Sequence, residues 1–450
     1  MKIVWKNVWT ATAILSMLMK GMVADAQQIH QFSLQECLDY ARKNNTQVKN
    51  ALLDIQIQRQ TNREITASAY PQINGNVSLI DNLNLATQLI PGEFFGQPAG
   101  TFVPLKFGTI FNLNGGVTLQ QVLFDGQVFV GLQARKAAID FYVKTAEVTE
   151  QTIRTNIYKT YYQLSASKTQ LQILDANIAQ LQKLQHDNEV MYKNGFAEQI
   201  DVNRAGVQLA NVQTQKDQAI STIENGFLGL KILMGMPMKD SLILTDSVTY
   251  DQIKSGVLEN LTYNYRDRKE YQLAEIASQL RAFDVKRYKY TYYPTVNLNA
   301  NYAENAQRNK FTFFKSGQQW FTSSYVSLNI NIPIFDGFAR SARVQRAKLN
   351  LQEAQNNIDG LKQTIDRDVS QAINNYNTAI RTLDNQKRNM ELAELVYSQS
   401  KKKFEAGLGS QLDITSAQTD LQVAQNNYIN AMYTAIVAKG DFLNATGKLQ

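Results

Sequence analysis

Along its last third the chain places small and apolar residues at gaps that alternate between four and three: Ala417, Leu421, Ala424, Tyr428, Ala431, Ala435, Ala438, Phe442 and Ala445. This spacing is the seam of a coiled coil. The stretch before it opens with Phe335-Asp336-Gly337, where Asp336 is placed to cap a helix. It then runs proline-free to the end of the chain, with Gly407 and Gly409 as the helix breakers. At 1.5 Å per residue, the helix expected between Gly337 and Gly407 is a rod of roughly 100 Å, followed by a turn and a return arm.

The same hairpin occurs earlier. Phe124-Asp125-Gly126 leads through a proline-free run to Gly195. The return arm carries Ala205, Leu209, Val212, Lys216, Ala219, Ile223, Gly226, Leu230 and Leu233, each 212 positions below its partner in the later arm. Upstream, Tyr70-Pro71-Gln72-Ile73-Asn74 matches Tyr293-Pro294-Thr295-Val296-Asn297 at an offset of 223. Repetition of turn, length and heptad phase points to a tandem duplication. The first repeat covers 27–236, with a helix, a β-hairpin over 71–124 and a long helical hairpin over 126–236. An irregular crossing segment over 237–258 leads to the second repeat, 259–450, with a helix, a β-hairpin over 294–335 and a long helical hairpin over 336–447. The helices before the two Tyr-Pro pairs are expected at 33–69 and 259–292, each ended by the proline.

Four stretches alternate between two residue classes. Ile73, Gly75, Val77 and Leu79 face one way, and Gln72, Asn74, Asn76 and Ser78 the other. Phe111, Leu113, Gly115, Val117 and Leu119 oppose Asn112, Asn114, Gly116 and Thr118. In the second copy Val296, Leu298, Ala300 and Tyr302 oppose Asn297, Asn299 and Asn301, and Val326, Leu328, Ile330 and Ile332 oppose Ser327, Asn329 and Asn331. Alternation alone fits a half-buried soluble sheet as well as membrane strands. Three features favour the membrane. The strands run about ten residues, enough to cross a bilayer when tilted. The polar face is amide and hydroxyl, suited to a wet lumen. Aromatic residues crowd the strand ends, Phe94, Phe95, Phe102, Phe107, Phe311, Phe313, Phe314, Trp320 and Phe321, as in an interfacial girdle. Those near Pro91-Gly92 and over 304–319 are expected in outer loops. Open strand edges are forbidden in lipid, and four strands do not enclose a pore. A homo-oligomer is therefore required, and three copies would supply twelve strands.

Composition adds an address. Lys2 and Lys6, the apolar stretch from Ala11 to Met19 and Ala24-Asp25-Ala26 fit a secretory signal over 1–26. The signal holds three lysines and Asp25, so the remainder keeps +5 of the formal +7. That excess is spread along the helices, which gives no nucleic-acid patch. No run of eighteen apolar residues follows the signal, so no transmembrane helix is expected. Cys37, the one cysteine, lies well past the cleavage site and reads as a small apolar helix residue.

Catalytic chemistry finds no footing. His30 and His186 stand isolated, no phosphate-cradling glycine loop follows a strand, and the carboxylates read as solvated helix charges. Met234, Met236 and Met238 read as helix-end packing rather than as a soft-metal site. No catalytic, cofactor or metal residues are assigned, and an enzyme is not expected.

Taken together, the tandem copies, the Tyr-Pro pairs, Phe-Asp-Gly before each long helix, and Tyr192-x-x-Gly195 and Phe404-x-x-Gly407 before Ile200-Asp201-Val202 and Leu412-Asp413-Ile414 resemble the TolC-type outer-membrane efflux protein family. The resemblance spans essentially the whole chain after the signal. It implies a mainly α protein with a membrane β-barrel: a homotrimer whose twelve-stranded barrel, set in outer-membrane lipid, continues as a periplasmic α-helical barrel, with 237–258 in the equatorial region. Such a channel is the exit duct of a tripartite efflux or type I secretion system, recruited by a periplasmic adaptor and an inner-membrane transporter, without cofactor or catalysis.

The resemblance also places residues. Asn194-Gly195-Phe196 and Ala406-Gly407-Leu408 are expected to form the periplasmic tips that dock the adaptor. Asp413, Phe404 and Asp201 are expected at the periplasmic constriction, where three copies of Asp413 around an axis attract cations and raise one another's pKa. Ser410 and Asp413 also have capping-box spacing. Glu198 stands where Ser410 does, yet Asp201 is kept. A second acid of the family's constriction is Ser416 here, and the tyrosine and arginine of its latch become Phe404 and Gly409. The expectation is a hydrophobic closure around Phe404, with Asp413 setting cation preference. The alternative is a periplasmic coiled-coil scaffold or adaptor without a membrane barrel.

Overall fold

The computed structural model describes residues 29–246, 250–254 and 263–449. The signal read over 1–26 lies outside them, as does part of the crossing segment. The chain forms two compact units. One takes the chain up to Leu53, Lys144–Gln272 and the chain from Asp359 onward, and the other takes Asp54–Val143 and Leu273–Ile358. Elements follow in the order β1 (Ile29–Phe32), α1 (Leu34–Asn44), α2 (Thr46–Ala67), β2 (Gln72–Asp81), β3 (Thr87–Pro91), β4 (Phe102–Lys106), β5 (Phe111–Phe124), α3 (Gly126–Lys193) and α4 (Gln199–Met234). After these come β6 (Ser241–Leu244), α5 (Tyr250–Lys254), α6 (Lys269–Tyr290), β7 (Thr295–Arg308), β8 (Phe321–Asn331), α7 (Ala339–Glu405) and α8 (Gln411–Ala445).

The sheet of the second unit runs β2-β5-β7-β8, antiparallel throughout. Its register turns alternation along the strands into rows across them. Ile73, Leu119, Ala300 and Val326 are paired neighbours in one apolar row, and Gln72, Gln120, Asn299 and Ser327 form the adjoining polar row on the other face. The side chains of β2 and most of β8 are exposed, so neither face of these edge strands is covered by the described residues. The described residues hold more strands than the four expected. β3 and β4 make a separate two-stranded hairpin inside what the sequence reading takes as an outer loop, and β7 extends to Arg308, so that the aromatic loop expected over 304–319 begins only after it.

The two Phe-Asp-Gly turns start their helices differently. Asp125 Oδ1 accepts from the Gln127 amide at 2.7 Å, and α3 begins at Gly126. There a Cβ would lie 2.6 Å from Tyr290, so glycine is required by space. In the later copy Asp336 Oδ2 accepts from both the amide and Nε of Arg340 at 2.9 Å. Gly337 and Phe338 take φ of 62° and 67°, which delays α7 to Ala339.

In the first unit the helix expected over 33–69 is broken, and the described part of the one expected over 259–292 becomes helical only at Lys269. The segment 33–69 divides at Asn45, whose Oδ1 caps α2 by accepting from the Gln47 and Val48 amides at 2.8 and 3.1 Å. Its Nδ2 donates to the carbonyl of Leu233 at 2.7 Å, tying the joint to the end of α4. Of the helix expected over 259–292, positions 259–262 lie outside the described residues, and α6 starts at Lys269 after a short 3-10 turn over Tyr265–Asp267. Arg268 makes the corresponding tie, its Nη1 donating to the carbonyl of Ala445 at the end of α8 at 3.1 Å. A glycine completes each joint: Gly235 at φ 69° against the carbonyl of Asn44, and Gly447 at φ 72° against that of Asp267. Over 33–69 the apolar spacing runs on through the break, because α1 and α2 are separated by the single residue Asn45.

Around the first joint lies the core of this unit, with Cys37, Leu38, Ile157, Tyr161, Leu230, Met234 and Met236 buried together. Burial pushes the Cys37 thiol up to about 12, which leaves it protonated and unreactive. Met234 and Met236 pack as expected, whereas Met238 is exposed. The crossing segment is less irregular than anticipated: β6 pairs in parallel with β1, and α5 follows it. His30 is likewise not isolated, since its Nε2 lies 3.4 Å from the buried carboxylate of Asp240.

Candidate functional site

The two helical hairpins turn through the same backbone motif. At the end of α3, Gly195 adopts φ 80°, its amide donates to the Tyr192 carbonyl at 3.0 Å, and the Phe196 amide donates to that of Met191 at 2.8 Å. At the end of α7, Gly407 adopts φ 72°, with Gly407 bonded to Phe404 and Leu408 to Lys403, both at 2.9 Å. This is a Schellman closure in each copy, which uses glycine for the left-handed residue and returns two otherwise unpaired carbonyls to the hydrogen-bond ladder. The apolar residue after each glycine is left outside, Phe196 at 80% and Leu408 at 83% exposure. Asn194 and Ala406 are exposed as well, and a Cβ on either glycine would meet nothing within 4 Å.

Past the turn, α8 opens with a full capping box. The Asp413 amide donates to Ser410 Oγ and the Ser410 amide donates to Asp413 Oδ2, both at 3.1 Å. The Ser410 amide, then the Ser410 hydroxyl, then the charge of Lys403 hold the Asp413 carboxyl below its ordinary range, so within one chain the shift runs opposite to the mutual raising expected of three copies. Asp413 shares a shallow depression between α7 and α8 with Lys403, Leu408, Gly409, Ser416 and Asp420. Phe404 is half-buried beside it, and a Cβ on Gly409 would lie 3.1 Å from the Phe404 amide nitrogen, so any side chain there would have to shift the backbone of α7 slightly. Asp201 does not join this group. It sits in the first turn of α4, where Glu198 makes no side-chain cap, and its carboxylate lies 3.8 Å from Arg204.

Between the two hairpins runs a set of contacts that the heptad reading did not single out. Gln208 Nε2 donates to Thr419 Oγ1 at 3.1 Å, Gln422 Nε2 donates to Gln215 Oε1 at 2.9 Å, and Asn177 Nδ2 donates to Gln425 Oε1 at 2.9 Å. Gln208 and Gln215 stand one heptad apart, the signal that would have found them. Apolar packing joins the two arms within a hairpin, as where Leu174 and Leu181 of α3 meet Val212 of α4 and Tyr376 of α7 lies beside Phe442 of α8, whereas these three contacts joining one hairpin to the other are neutral and polar. Among the described residues no His, Cys, Asp and Glu cluster is placed to hold a metal, and no helix is long and apolar enough to cross a membrane.

Comparison with known proteins agrees with this architecture. A crystal structure of CusC, described in connection with transmembrane channel formation, superposes with a TM-score of 0.75 at 16% identity, covering 92% of each chain. Outer membrane efflux protein BepC of Brucella suis is 21% identical over 440 residues, which is 96% of this chain and 89% of that protein. Outer membrane protein TolC of Vibrio cholerae is 19% identical over 339 residues, 75% of this chain and 77% of that protein. A family profile described as outer membrane efflux protein matches twice, over residues 37–235 and 270–448. With both halves of the sequence matched in this way, the chain belongs to the outer membrane efflux protein family.

Proposed function

We propose that three copies of this chain close a twelve-stranded outer-membrane barrel, continued into the periplasm by their helical hairpins, and that the assembly is the passive exit duct of a tripartite efflux or type I secretion system. An inner-membrane transporter drives export of small molecules or proteins, and a periplasmic adaptor docks on the tips Asn194-Gly195-Phe196 and Ala406-Gly407-Leu408. The observation that carries this reading is the sheet β2-β5-β7-β8, whose outer strands present unpaired edges and exposed apolar rows. In lipid those edges have to be paired, and a neighbouring copy is the partner that closure by rotation supplies. A soluble scaffold or adaptor would instead need a cover for the apolar row, and none is present within the second unit. We also read the chain as two structural repeats meeting in the crossing segment.

Asp413 and Phe404 then ring the periplasmic end, with Asp201 at the matching position of the first hairpin. The capping box uses one oxygen of Asp413 and keeps the group ionised, so three charges face a narrow passage. In planar bilayers the purified protein should conduct with a preference for cations, and Asp413→Asn should reduce that preference several-fold together with block by divalent ions. Asn still accepts the Ser410 bond, so helix capping is largely retained. Unchanged reversal potentials and unchanged block would confine Asp413 to its cap, and absence of any conductance would contradict the channel.

A further inference from the structure

We infer that the groove walled by α2, α3 and α6 in the second unit binds a compact organic anion, a carboxylate or sulfonate carried on an apolar body. The groove encloses about 460 Å3, and Ile65, Val130, Phe141, Leu280 and Phe283 contribute apolar walls. Volumes of about 300–1,000 Å3 with mostly apolar walls and a few polar groups are those of small-molecule sites. Three guanidinium groups reach it, from Arg135, Arg281 and Arg287, against one carboxylate among the described lining residues, that of Asp284.

Asp284 is already committed. It lies 3.2 Å from Arg287 and 3.6 Å from Arg281. Arg135 is left with neutral partners: its Nε donates to the Leu132 carbonyl at 3.0 Å and its Nη1 to Thr66 Oγ1 at 2.6 Å. The helix that carries it is fixed in place, because Asn62 Nδ2 donates to the Arg135 carbonyl at 2.9 Å. A half-buried cation held only by neutral acceptors beside apolar walls retains most of its attraction for a negative charge, and a charge-assisted bond to it is about twice as strong as a neutral one. Nε of Arg287, buried and without a hydrogen-bond partner, is a second donor turned away from solvent. An apolar body would fill the walls while its acid group meets Arg135. The inference is independent of export, since its test reads binding to the purified assembly.

The test uses full-length protein in nanodiscs of zwitterionic phosphatidylcholine and follows 6-fluoro-2-naphthoate by fluorine relaxation. Saturable binding is expected, with the uncharged 6-fluoro-2-naphthamide bound at least about tenfold more weakly. Arg135→Gln should weaken naphthoate by about the same factor and leave the amide unchanged. Equal binding of acid and amide, or no saturable binding of the acid because a neighbouring copy fills the groove, would overturn the proposal without any variant having to fold. Undiminished naphthoate binding by folded Arg135→Gln would overturn it as well.

Discussion

Gly407→Trp is expected to leave the proposed trimer assembled and to abolish export. The glycine sits at φ 72° with open space where a Cβ would go, so the substitution meets no packed neighbour. Its structural cost is that of one L residue in the left-handed region, about 1–2 kcal/mol, at the end of a hairpin sealed along its length. What changes is the surface: an indole replaces bare backbone beside Leu408, where the proposed adaptor helix has to approach closely. Export, read as the drug tolerance of cells carrying the variant, should fall to that of cells lacking the gene, while Gly407→Ala should retain much of it. Normal tolerance with Gly407→Trp would remove the tip from the docking surface.

Substitution at the other glycine pair should act on folding instead. Gly235 also has positive φ, yet a Cβ there would lie 2.6 Å from the Asn44 carbonyl carbon, and at Gly447 a Cβ would lie 2.8 Å from the Asp267 carbonyl oxygen. Both obstacles are backbone, which cannot rotate aside. Gly235→Val and Gly447→Val therefore combine left-handed strain with a clash at a joint that Asn45 and Arg268 hold shut, and each should cost more than about 4 kcal/mol. The measurable result is loss of folded protein from the outer membrane and sensitivity to trypsin during extraction. If one variant folds normally while the other fails, the two joints are not equivalent.

These contrasts show where the sequence was readable. The long hairpins, their glycine turns and the four-stranded sheet follow from periods that persist over many residues, and α8 buries Ala417, Leu421, Ala424, Ala431, Ala435, Ala438, Phe442 and Ala445 as its seam dictates. The break at Asn45 escaped because one capping residue is too short a signal to interrupt a 3.6-residue pattern. β1 and β6 escaped for a related reason, since four-residue strands carry too little alternation to be told from loop, and their pairing joins residues far apart in the chain. At the proposed constriction the capping box of Ser410 and Asp413 was visible in the spacing. Of the amide contacts from Gln208, Gln215 and Asn177, only the one-heptad spacing of the two glutamines left a trace, because a glutamine facing another helix and one facing water otherwise look alike in sequence.

The central claim, that one chain is a third of a channel, is tested most directly by the mass of the detergent-extracted protein in native mass spectrometry. The open edges of β2 and β8 call for pairing with neighbouring copies, and the proposed channel predicts a species of three chains that persists until the detergent or the fold is disrupted. A stable, folded monomer as the dominant species would contradict the account.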